Sequence, residues 1–157
     1  MIIGQTLGGH YRITKLLGGG GFGETYLAED LHLPNHPLRV VKQLKPVCTD
    51  PDELKIARRL FDTEVNILYK LGSHDQIPQL FAHFEEKQEF YLVQEYIEGH
   101  DLTHEIKAGK SLSETQVIQL LQDMLEVLEF VHKQGVIHRD IKPSNLMRRD
   151  SDNKIVL

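Results

Sequence analysis

A short polar stretch in the last third of the sequence combines the side chains that a group-transfer reaction needs. It reads His138-Arg139-Asp140-Ile141-Lys142-Pro143-Ser144-Asn145 and follows two apolar β-branched residues. Pro143 favours an extended or turn backbone at Lys142, so we expect an irregular loop in which the cation does more than neutralise Asp140. An acid, a cation and an amide this close together can act as a proton acceptor, a phosphoryl-binding charge and a magnesium ligand. A solvated loop of charged residues is the plainer interpretation.

Composition restricts the class of protein. The 157 residues are 40% hydrophobic and 26% charged, as in soluble globular proteins, and suffice for one domain or two small lobes around a cleft. The net charge of −5 gives no electrostatic basis for binding nucleic acid or an anionic membrane surface. Cys48 is the only cysteine, which excludes an internal disulfide and fits a reducing compartment. We find no signal peptide and no apolar run long enough to span a membrane, so we expect a cytoplasmic location.

A glycine-rich segment near the N-terminus is a candidate phosphate-binding loop. Strand-like runs, Tyr11 to Leu17 and Glu24 to Asp30, flank Gly18-Gly19-Gly20-Gly21-Phe22-Gly23. Glu24 stands where a Walker A motif has lysine, and no helix follows as a dinucleotide-binding motif requires. What remains is a glycine turn in a β-hairpin, whose backbone N–H groups can cover phosphate oxygens while Phe22 excludes water. A flexible hairpin tip without a ligand is the alternative.

Two charged residues upstream of the polar loop are predicted to pair inside the protein. The third strand, Leu38 to Leu44, places Lys42 on an apolar face. Glu64 falls within the apolar stripe of the helix that follows, and a carboxylate facing a core is costly unless a cation meets it. We therefore expect a buried Lys42–Glu64 pair; a glutamate that bends out to solvent is the alternative.

That helix has clear boundaries in the sequence. Asp50 can cap it, Pro51 suits its first position, and it should run to about Leu71, with Gly72 in the C-terminal cap position. Its predicted apolar stripe consists of Ala57, Leu60, Phe61, Val65, Leu68 and Leu71.

The remaining segments predict a further hairpin and a helical region. Ile77 to Glu85 and Phe90 to Tyr96 form the hairpin, turned at residues 86–88, which completes five strands and one helix. Residues 95–99 connect to a second lobe, and Asp101 to Lys107 forms a short helix. His100 and His104 have the spacing of a zinc helix, but no third ligand is evident, so we reject a metal site there.

A long helix and a last hairpin complete the chain. Ser113 to Gln116 form a capping box, and the helix they open stops at Gly135. Its predicted core stripe consists of Val117, Leu120, Leu121, Met124, Leu128 and Val131. After the polar loop, residues 146–157 form a hairpin turned at residues 150–153.

Taken in order, the glycine hairpin, the inward lysine, the helix glutamate and the acid-bearing loop resemble the protein kinase family. The likeness is closest to the bacterial branch of the eukaryotic-like serine/threonine kinases, and the matches run from Leu17 to Leu157. The resemblance implies an α+β, two-lobed fold: residues 1–97 form a five-stranded antiparallel N-lobe with one helix, and residues 98–157 form the start of a helical C-lobe. It also implies ATP and Mg²⁺ as cofactors and a protein with Ser/Thr hydroxyls as substrate.

The resemblance implies how ATP would be held. The backbone of Gly18 to Gly23 would cover the phosphates, and Lys42, paired with Glu64, would bind the α- and β-phosphates. Gln94 would be the gatekeeper, main-chain groups of Glu95 and Ile97 would hold the adenine, and Asp101 would contact the ribose. Thr25 replaces the valine that the family places beneath the adenine. The nucleotide-binding residues would thus be Leu17, Gly18, Gly19, Gly20, Gly21, Phe22, Gly23, Thr25, Lys42, Gln94, Glu95, Ile97 and Asp101.

The resemblance also implies the chemical roles of the polar loop. Asp140 would be the catalytic base, Lys142 would steady the γ-phosphate, and Asn145 would ligate a magnesium ion. A lysine at position 142 is typical of the serine/threonine class. His138 would be a structural support for the loop, and Arg139 hints at regulation through activation-loop phosphorylation.

The sequence departs from the family pattern at its end. It contains no Asp-Phe-Gly, no activation loop and no Ala-Pro-Glu, and it ends where the magnesium-binding aspartate is expected. Two hypotheses stay open: a Ser/Thr phosphotransferase of which this is the N-terminal part, or a truncated ATP-binding or interaction module without turnover. In either case we expect the apolar stripe of the long helix to be partly exposed or covered by another chain, because it normally packs against a larger helical lobe.

Overall fold

The computed structural model describes residues 2–20, 23–44, 50–72, 74–107, 109 and 111–157. The chain divides into two compact units. The first comprises Met1–Tyr69 and Gln79–Tyr96, and the second comprises Lys70–Pro78 and Ile97–Leu157. Residues 70–78 group with the second unit, although the sequence-based division placed residues 1–97 in the first lobe.

An antiparallel sheet and one helix build the first unit. Its elements are β1 (Thr6–Leu7), β2 (Tyr11–Gly20), β3 (Gly23–Asp30), β4 (Leu38–Leu44), α1 (Pro51–Leu71), β5 (Leu80–Glu86) and β6 (Glu89–Glu95). The six strands pair in the order β1-β2-β3-β4-β6-β5. The α+β architecture predicted from the sequence is confirmed, with β1 as an added sixth strand. Because β1 is two residues long, it has no hydrophobic periodicity to detect.

Both faces of the sheet bury apolar side chains. One face buries Leu7, Tyr11, Ile13, Tyr26, Ala28, Val41, Tyr91 and Val93. On the other face, Phe90 and Leu92 pack against Phe61 and Val65 of α1. Burying each such side chain contributes about 1.5–3 kcal/mol, so this packing rather than helix propensity holds α1 in place. Leu60, predicted to join this stripe, is 65% exposed, so that prediction is wrong.

Local signals set the boundaries of these elements as predicted. The Asp50 carboxylate accepts a hydrogen bond of 3.0 Å from the Asp52 N–H at the start of α1. Gly72 follows the helix with a φ of 60°, a left-handed conformation that glycine adopts without strain. Lys87 and Gln88 turn the β5–β6 hairpin with φ of 54° and 64°, as a two-residue type I′ turn requires.

The second unit combines helices with a small sheet. Its elements are β7 (Gly99–Asp101), α2 (Thr103–Lys107), α3 (Glu114–Lys133), a 3₁₀ helix (Pro143–Asn145), β8 (Met147–Arg149) and β9 (Ile155–Val156). The strands pair in the order β7-β8-β9. The predicted capping box of α3 is confirmed: the Ser113 hydroxyl accepts from the Gln116 N–H at 3.2 Å, and the Gln116 side chain accepts from the Ser113 N–H at 2.8 Å.

The core of this unit lies along one side of α3. Met124, Val127 and Val131 are buried there, and Leu102, Leu146 and Ile155 complete the core. Val117 and Leu121 lie instead on the outer side, 47% and 56% exposed. The expectation that the predicted stripe of α3 is partly exposed is therefore confirmed. Within the described residues, no helix combines the length and the apolar character needed to span a membrane.

Candidate functional site

The glycine segment lies at the tip of the β2–β3 hairpin. Gly18 pairs with Thr25, Gly19 with Glu24 and Gly20 with Gly23, so the two strands continue to the end of the hairpin. The pairing shifts by one position between Leu16 and Gly18, which places an irregularity at Leu17 where the glycine run begins. Gly21 and Phe22, the predicted tip, lie outside the described residues.

Within the glycine segment, the fold requires a residue without a side chain at position 23. Its φ is 141°, and a Cβ atom at this position would lie 2.0 Å from the Gln43 carbonyl oxygen on β4. Nothing lies within 4 Å of the corresponding position at Gly18. Gly23 thus allows β3 to approach β4 closely, whereas Gly18 leaves open space above the backbone.

Lys42 lies in the middle of β4, on the face of the sheet that α1 covers. Its neighbours across the strands are Thr25 on β3 and Leu92 on β6. Burial lowers the pKa of the Lys42 ammonium, and the negative charge of Glu64 opposes that shift. The prediction that Lys42 faces inward is confirmed, and Glu64 is the carboxylate that acts on it.

The geometry of that pair differs from the prediction. Glu64 is exposed, and in the described part of the chain it forms no ion pair with Lys42 within 4.0 Å. The expectation of a buried Lys42–Glu64 pair is therefore wrong in this structure, and the two charges interact only at longer range. Leu60, one turn earlier on the same side of α1, is exposed as well, so α1 is rotated away from the orientation that its apolar pattern indicated.

The longer-range coupling can be tested directly. Glu64→Gln removes the negative charge that raises the Lys42 pKa, so we expect this pKa to fall further below its ordinary value. An NMR titration of the Lys42 side chain measures the change, with Asp62→Asn on the same helix as the control. An unchanged Lys42 pKa in Glu64→Gln would show that the two residues are not coupled.

The predicted adenine-binding residues lie at the end of β6 and just after it. Gln94 is 4% exposed and pairs with Val40 on β4, so its side chain lies inside the first unit. The Glu95 N–H donates to the Gln79 carbonyl at 2.8 Å, so this donor is already used within the protein. Ile97 is 8% exposed, and its N–H donates no hydrogen bond within the described residues. The roles of Gln94, Glu95 and Ile97 in binding adenine stay a prediction.

Asp101 caps the short helix α2. Its Oδ1 accepts from the Thr103 N–H at 2.8 Å and from the Thr103 hydroxyl, and it lies 3.3 Å from His104 Nδ1. Partial burial raises the pKa of Asp101, but the hydrogen bonds from Thr103 and His104 outweigh it and hold the pKa below its ordinary value. Asp101 is therefore an ionised acceptor already held by its own helix, which begins two residues later than predicted.

The polar loop brings its three predicted functional side chains together. Asn145 Nδ2 donates to both the main-chain oxygen and Oδ2 of Asp140, each at 2.9 Å. Lys142 Nζ lies 3.0 Å from the same Oδ2. These bonds orient the Asp140 carboxylate. The side-chain oxygen of Asn145 accepts no hydrogen bond within the loop, so it is available as an acceptor.

The side chain of Lys142 pairs with the acid although its backbone is extended. Lys142 has the extended backbone that Pro143 imposes, with φ of −157° and ψ of 159°. It nevertheless pairs with Asp140, because its long side chain reaches back where the backbone does not. In the described structure the cation therefore neutralises the acid, and the predicted further role of Lys142 stays a prediction.

Backbone contacts support the loop. The Asp140 N–H donates to His138 Nδ1 at 3.2 Å, and the Leu102 N–H contacts the carbonyls of Pro143 and Leu146 at 3.1 and 3.0 Å. Arg139 has a φ of 65°, which costs a residue with a side chain about 1 kcal/mol or more. Strain of this kind concentrates at functional sites, and no local feature of the sequence indicates it.

The charge state of Asp140 follows from these contacts. The hydrogen bonds from Lys142 and Asn145 hold the pKa of the Asp140 carboxyl below its ordinary value, so it is ionised at neutral pH.

Lys142→Met removes the larger of these contributions, and we expect the Asp140 pKa to rise toward its ordinary value. A carboxyl-detected NMR titration measures it; Lys154→Met, a change away from the loop, should leave it unchanged.

A cavity of about 1150 Å³ lies elsewhere in the second unit. It is bounded by α2, the first half of α3 and the β8–β9 turn, and no sequence pattern indicated it. His100 lines it and contacts Glu105 at 3.0 Å, while His104 contacts Asp101, so the two histidines pair with separate carboxylates. None of the polar-loop residues lines this cavity.

Comparisons with known proteins agree with this fold and these motifs. A family model described as the protein kinase domain matches residues 11–157. The chain is 48% identical over 151 residues to serine/threonine-protein kinase B of Synechocystis sp., which covers 96% of this chain and 26% of that protein. It is 47% identical over 154 residues to serine/threonine-protein kinase PknA of Nostoc sp., covering 98% of this chain and 27% of that protein. The chain therefore belongs to the protein kinase family, and specifically to its bacterial-type serine/threonine branch.

Solved structures support the same assignment. The crystal structure of the Mycobacterium tuberculosis PknI kinase domain superposes with a TM-score of 0.80 at 25% identity. The match covers all of this chain and 61% of that chain. The chain thus spans about a quarter of the length of the curated relatives and about three fifths of a kinase domain of known structure.

Proposed function

We propose that this chain carries the ATP-binding and phosphate-transferring residues of a serine/threonine protein kinase. The observation that carries the proposal is the arrangement around Asp140, in which Asn145 and Lys142 hold one carboxylate from two sides. Asp140 accepts the proton of a Ser or Thr hydroxyl as that oxygen attacks the γ-phosphorus of ATP, and the bond from phosphorus to the ADP oxygen breaks. Lys142 moves from Asp140 to the transferring phosphoryl group, where it offsets negative charge.

The magnesium ion has one ligand in this proposal. Asn145 donates through Nδ2, so its Oδ1 offers the hard oxygen that Mg²⁺ prefers. The ion, when bound, neutralises charge on the β- and γ-phosphates. The side-chain oxygen of Asn145 is the type of donor that Mg²⁺ prefers, and Asn145 is the magnesium ligand that we assign to this chain.

The residues that we assign to the nucleotide are those that the resemblance to the family implies. The backbone from Gly18 to Gly23 covers the phosphates, with Leu17 and Thr25 beside the adenine. Lys42 binds the α- and β-phosphates. Gln94 limits the depth of the adenine site, and the Glu95 carbonyl and the Ile97 N–H bind the edge of the adenine ring. Asp101 accepts a hydrogen bond from the ribose. We place this chemistry in the cytoplasm, with a Ser/Thr-containing protein as substrate.

A second candidate function has an observation in its favour. Glu64 is exposed and forms no close pair with Lys42 in the described structure, whereas phosphate transfer requires that pair to be in place. This arrangement favours an ATP-binding or interaction module without turnover. The chain spans about a quarter of the length of its curated relatives. The activity, substrates and partners of the whole protein are therefore proposals.

One experiment separates the two functions. The 157-residue chain is incubated with labelled Mg-ATP and a generic basic protein, beside the Lys42→Met variant. Loss of the phosphate-binding ammonium should reduce transfer by about 10-fold or more, so wild-type labelling well above the variant supports the kinase. Saturable ATP binding without transfer supports the module. Neither binding nor transfer would contradict both.

A further inference from the structure

The sheet of the first unit offers α1 a charged residue on each side of the helix. Phe90 and Leu92 of β6 face α1. Leu92 is the cross-strand neighbour of Lys42 on β4. Phe90 is the cross-strand neighbour of Glu85 on β5, so Lys42 and Glu85 lie on the face that α1 covers. Because β6 lies between β4 and β5, the cation is on one side of α1 and the acid is on the other.

In the described structure, α1 makes an ion pair on the β5 side and not on the β4 side. Arg58 of α1 donates to Glu85 Oε2 through Nε at 3.1 Å and to Glu85 Oε1 through Nη2 at 2.8 Å. The guanidinium and the carboxylate thus meet in a bidentate arrangement, which fixes their relative orientation. Glu64 forms no ion pair with Lys42 within 4.0 Å among the described residues. The side of α1 that bears Arg58 is therefore the side that is tied to the sheet.

Arg58 and Glu64 lie on opposite flanks of the helix face that packs on the sheet. Phe61 marks the centre of this face, since it is buried against β6. Arg58 precedes Phe61 by three residues and Glu64 follows it by three. At about 100° per residue, each lies about 60° from Phe61, in opposite directions. A roll of α1 about the Phe61 contact that lowers Glu64 toward the sheet therefore lifts Arg58 away from it.

The buried lysine favours such a roll. Burial lowers the pKa of the Lys42 ammonium, because a charge away from water is costly. Glu64 already acts on Lys42 at a distance, and a closer approach would offset more of this cost. The Arg58–Glu85 pair lies at the surface, where an ion pair contributes little to stability. The two orientations of α1 are thus close in free energy, and we expect a single substitution to change which one is populated.

We propose that Arg58 and Glu85 are positioning residues, whose ion pair holds α1 rolled toward β5 and so keeps Glu64 away from Lys42. Breaking the pair lets α1 roll and brings Glu64 to the ammonium. The orientation of α1 is a property of the first unit alone. Its consequence for phosphate transfer rests on the proposed function, in which Lys42 binds ATP while paired with Glu64.

Two substitutions with opposite direct charge effects test the proposal. Arg58→Gln and Glu85→Gln both break the pair, so we expect each to raise the pKa of Lys42 by about 1 as Glu64 approaches. Without movement of α1, loss of the Glu85 carboxylate could only lower that pKa, because it removes a negative charge. An NMR titration of the Lys42 side chain measures both variants, and far-UV circular dichroism checks that the helix content is retained.

Three further variants separate the movement of α1 from other effects. Lys55→Gln breaks the 3.0 Å Lys55–Asp52 pair on the same helix, which involves no residue of the sheet, and should leave the Lys42 pKa unchanged. Adding Glu64→Gln to Glu85→Gln should abolish the rise, because residue 64 is then uncharged. Exchanging the two charges, Arg58→Glu with Glu85→Arg, rebuilds the pair in reverse and should return the pKa to near its wild-type value.

Phosphate transfer is a separate measurement. If the chain transfers phosphate, Arg58→Gln and Glu85→Gln should raise transfer by about 3-fold or more, since a larger fraction of molecules then has Glu64 beside Lys42. A raised Lys42 pKa without transfer in any variant would contradict the kinase function and still support the positioning role. A lowered or unchanged Lys42 pKa in Glu85→Gln would overturn the proposal, as would an equal rise in Lys55→Gln.

Discussion

Replacing Asp140 with asparagine is expected to lower phosphate transfer by about 10²–10⁴-fold while leaving ATP binding nearly unchanged. Asparagine keeps the size of the side chain and an oxygen that can accept from Asn145 Nδ2, so the loop should keep its shape. It cannot accept the proton of the attacking hydroxyl, and it removes the negative charge that holds Lys142. The effect should therefore appear in the transfer step alone.

The measurement compares labelled phosphate incorporation with nucleotide affinity in the same preparation. Asp62→Asn makes the same chemical change on the exposed side of α1 and should leave both quantities unchanged. The dependence of activity on acidic pH offers a second test. Because the pKa of Asp140 lies below its ordinary value, the carboxylate stays ionised, and activity should fall only as the pH drops through this lowered pKa. An Asp140→Asn variant within 10-fold of wild type would remove Asp140 as the base.

Replacing Gly23 with alanine is expected to destabilise the protein by about 2–4 kcal/mol. The new Cβ atom would lie 2.0 Å from the Gln43 carbonyl oxygen, a distance that no side chain can occupy. Strands β3 and β4 would have to separate at this end, and the positive φ of 141° would add strain. Against a total stability of about 5–15 kcal/mol, this is a large fraction.

Urea unfolding of the two glycine variants measures the difference. Gly18→Ala is the control, because nothing lies within 4 Å of its Cβ position, and its free energy of unfolding should change by less than about 0.5 kcal/mol. Equal effects of the two changes would show that the close approach of β3 to β4 is not what position 23 requires. Since Gly18 and Gly23 belong to the same motif, the pair also separates a structural glycine from one available for a ligand.

Much of the fold follows from local signals. The Asp50 cap, the turn at Lys87 and Gln88, and the capping box at Ser113 each act within four residues, so their energies depend little on the rest of the molecule. The alternation of apolar residues in β2 to β6 predicted the sheet for the same reason. The order of the glycine run, Lys42, Glu64 and the Asp140 loop was sufficient to indicate the protein kinase family, which the family match confirms.

Other features depend on contacts between distant parts of the chain. β1 and β7 are two and three residues long and exist because β2 and β8 offer them partners. Leu60 and Glu64 were expected to face the core, and both are exposed, because the orientation of α1 is set by how Phe61 and Val65 fit Phe90 and Leu92. A helical wheel shows which residues share a face, but not how that face is turned.

The sequence by itself determined the longer elements, their order and the family, because those depend on residue types within short windows. The tertiary structure alone decided that Lys142 reaches Asp140, that Arg139 takes a left-handed backbone, and that Glu64 acts on Lys42 only at a distance. Each of these depends on side-chain positions that packing selects among several of similar local energy.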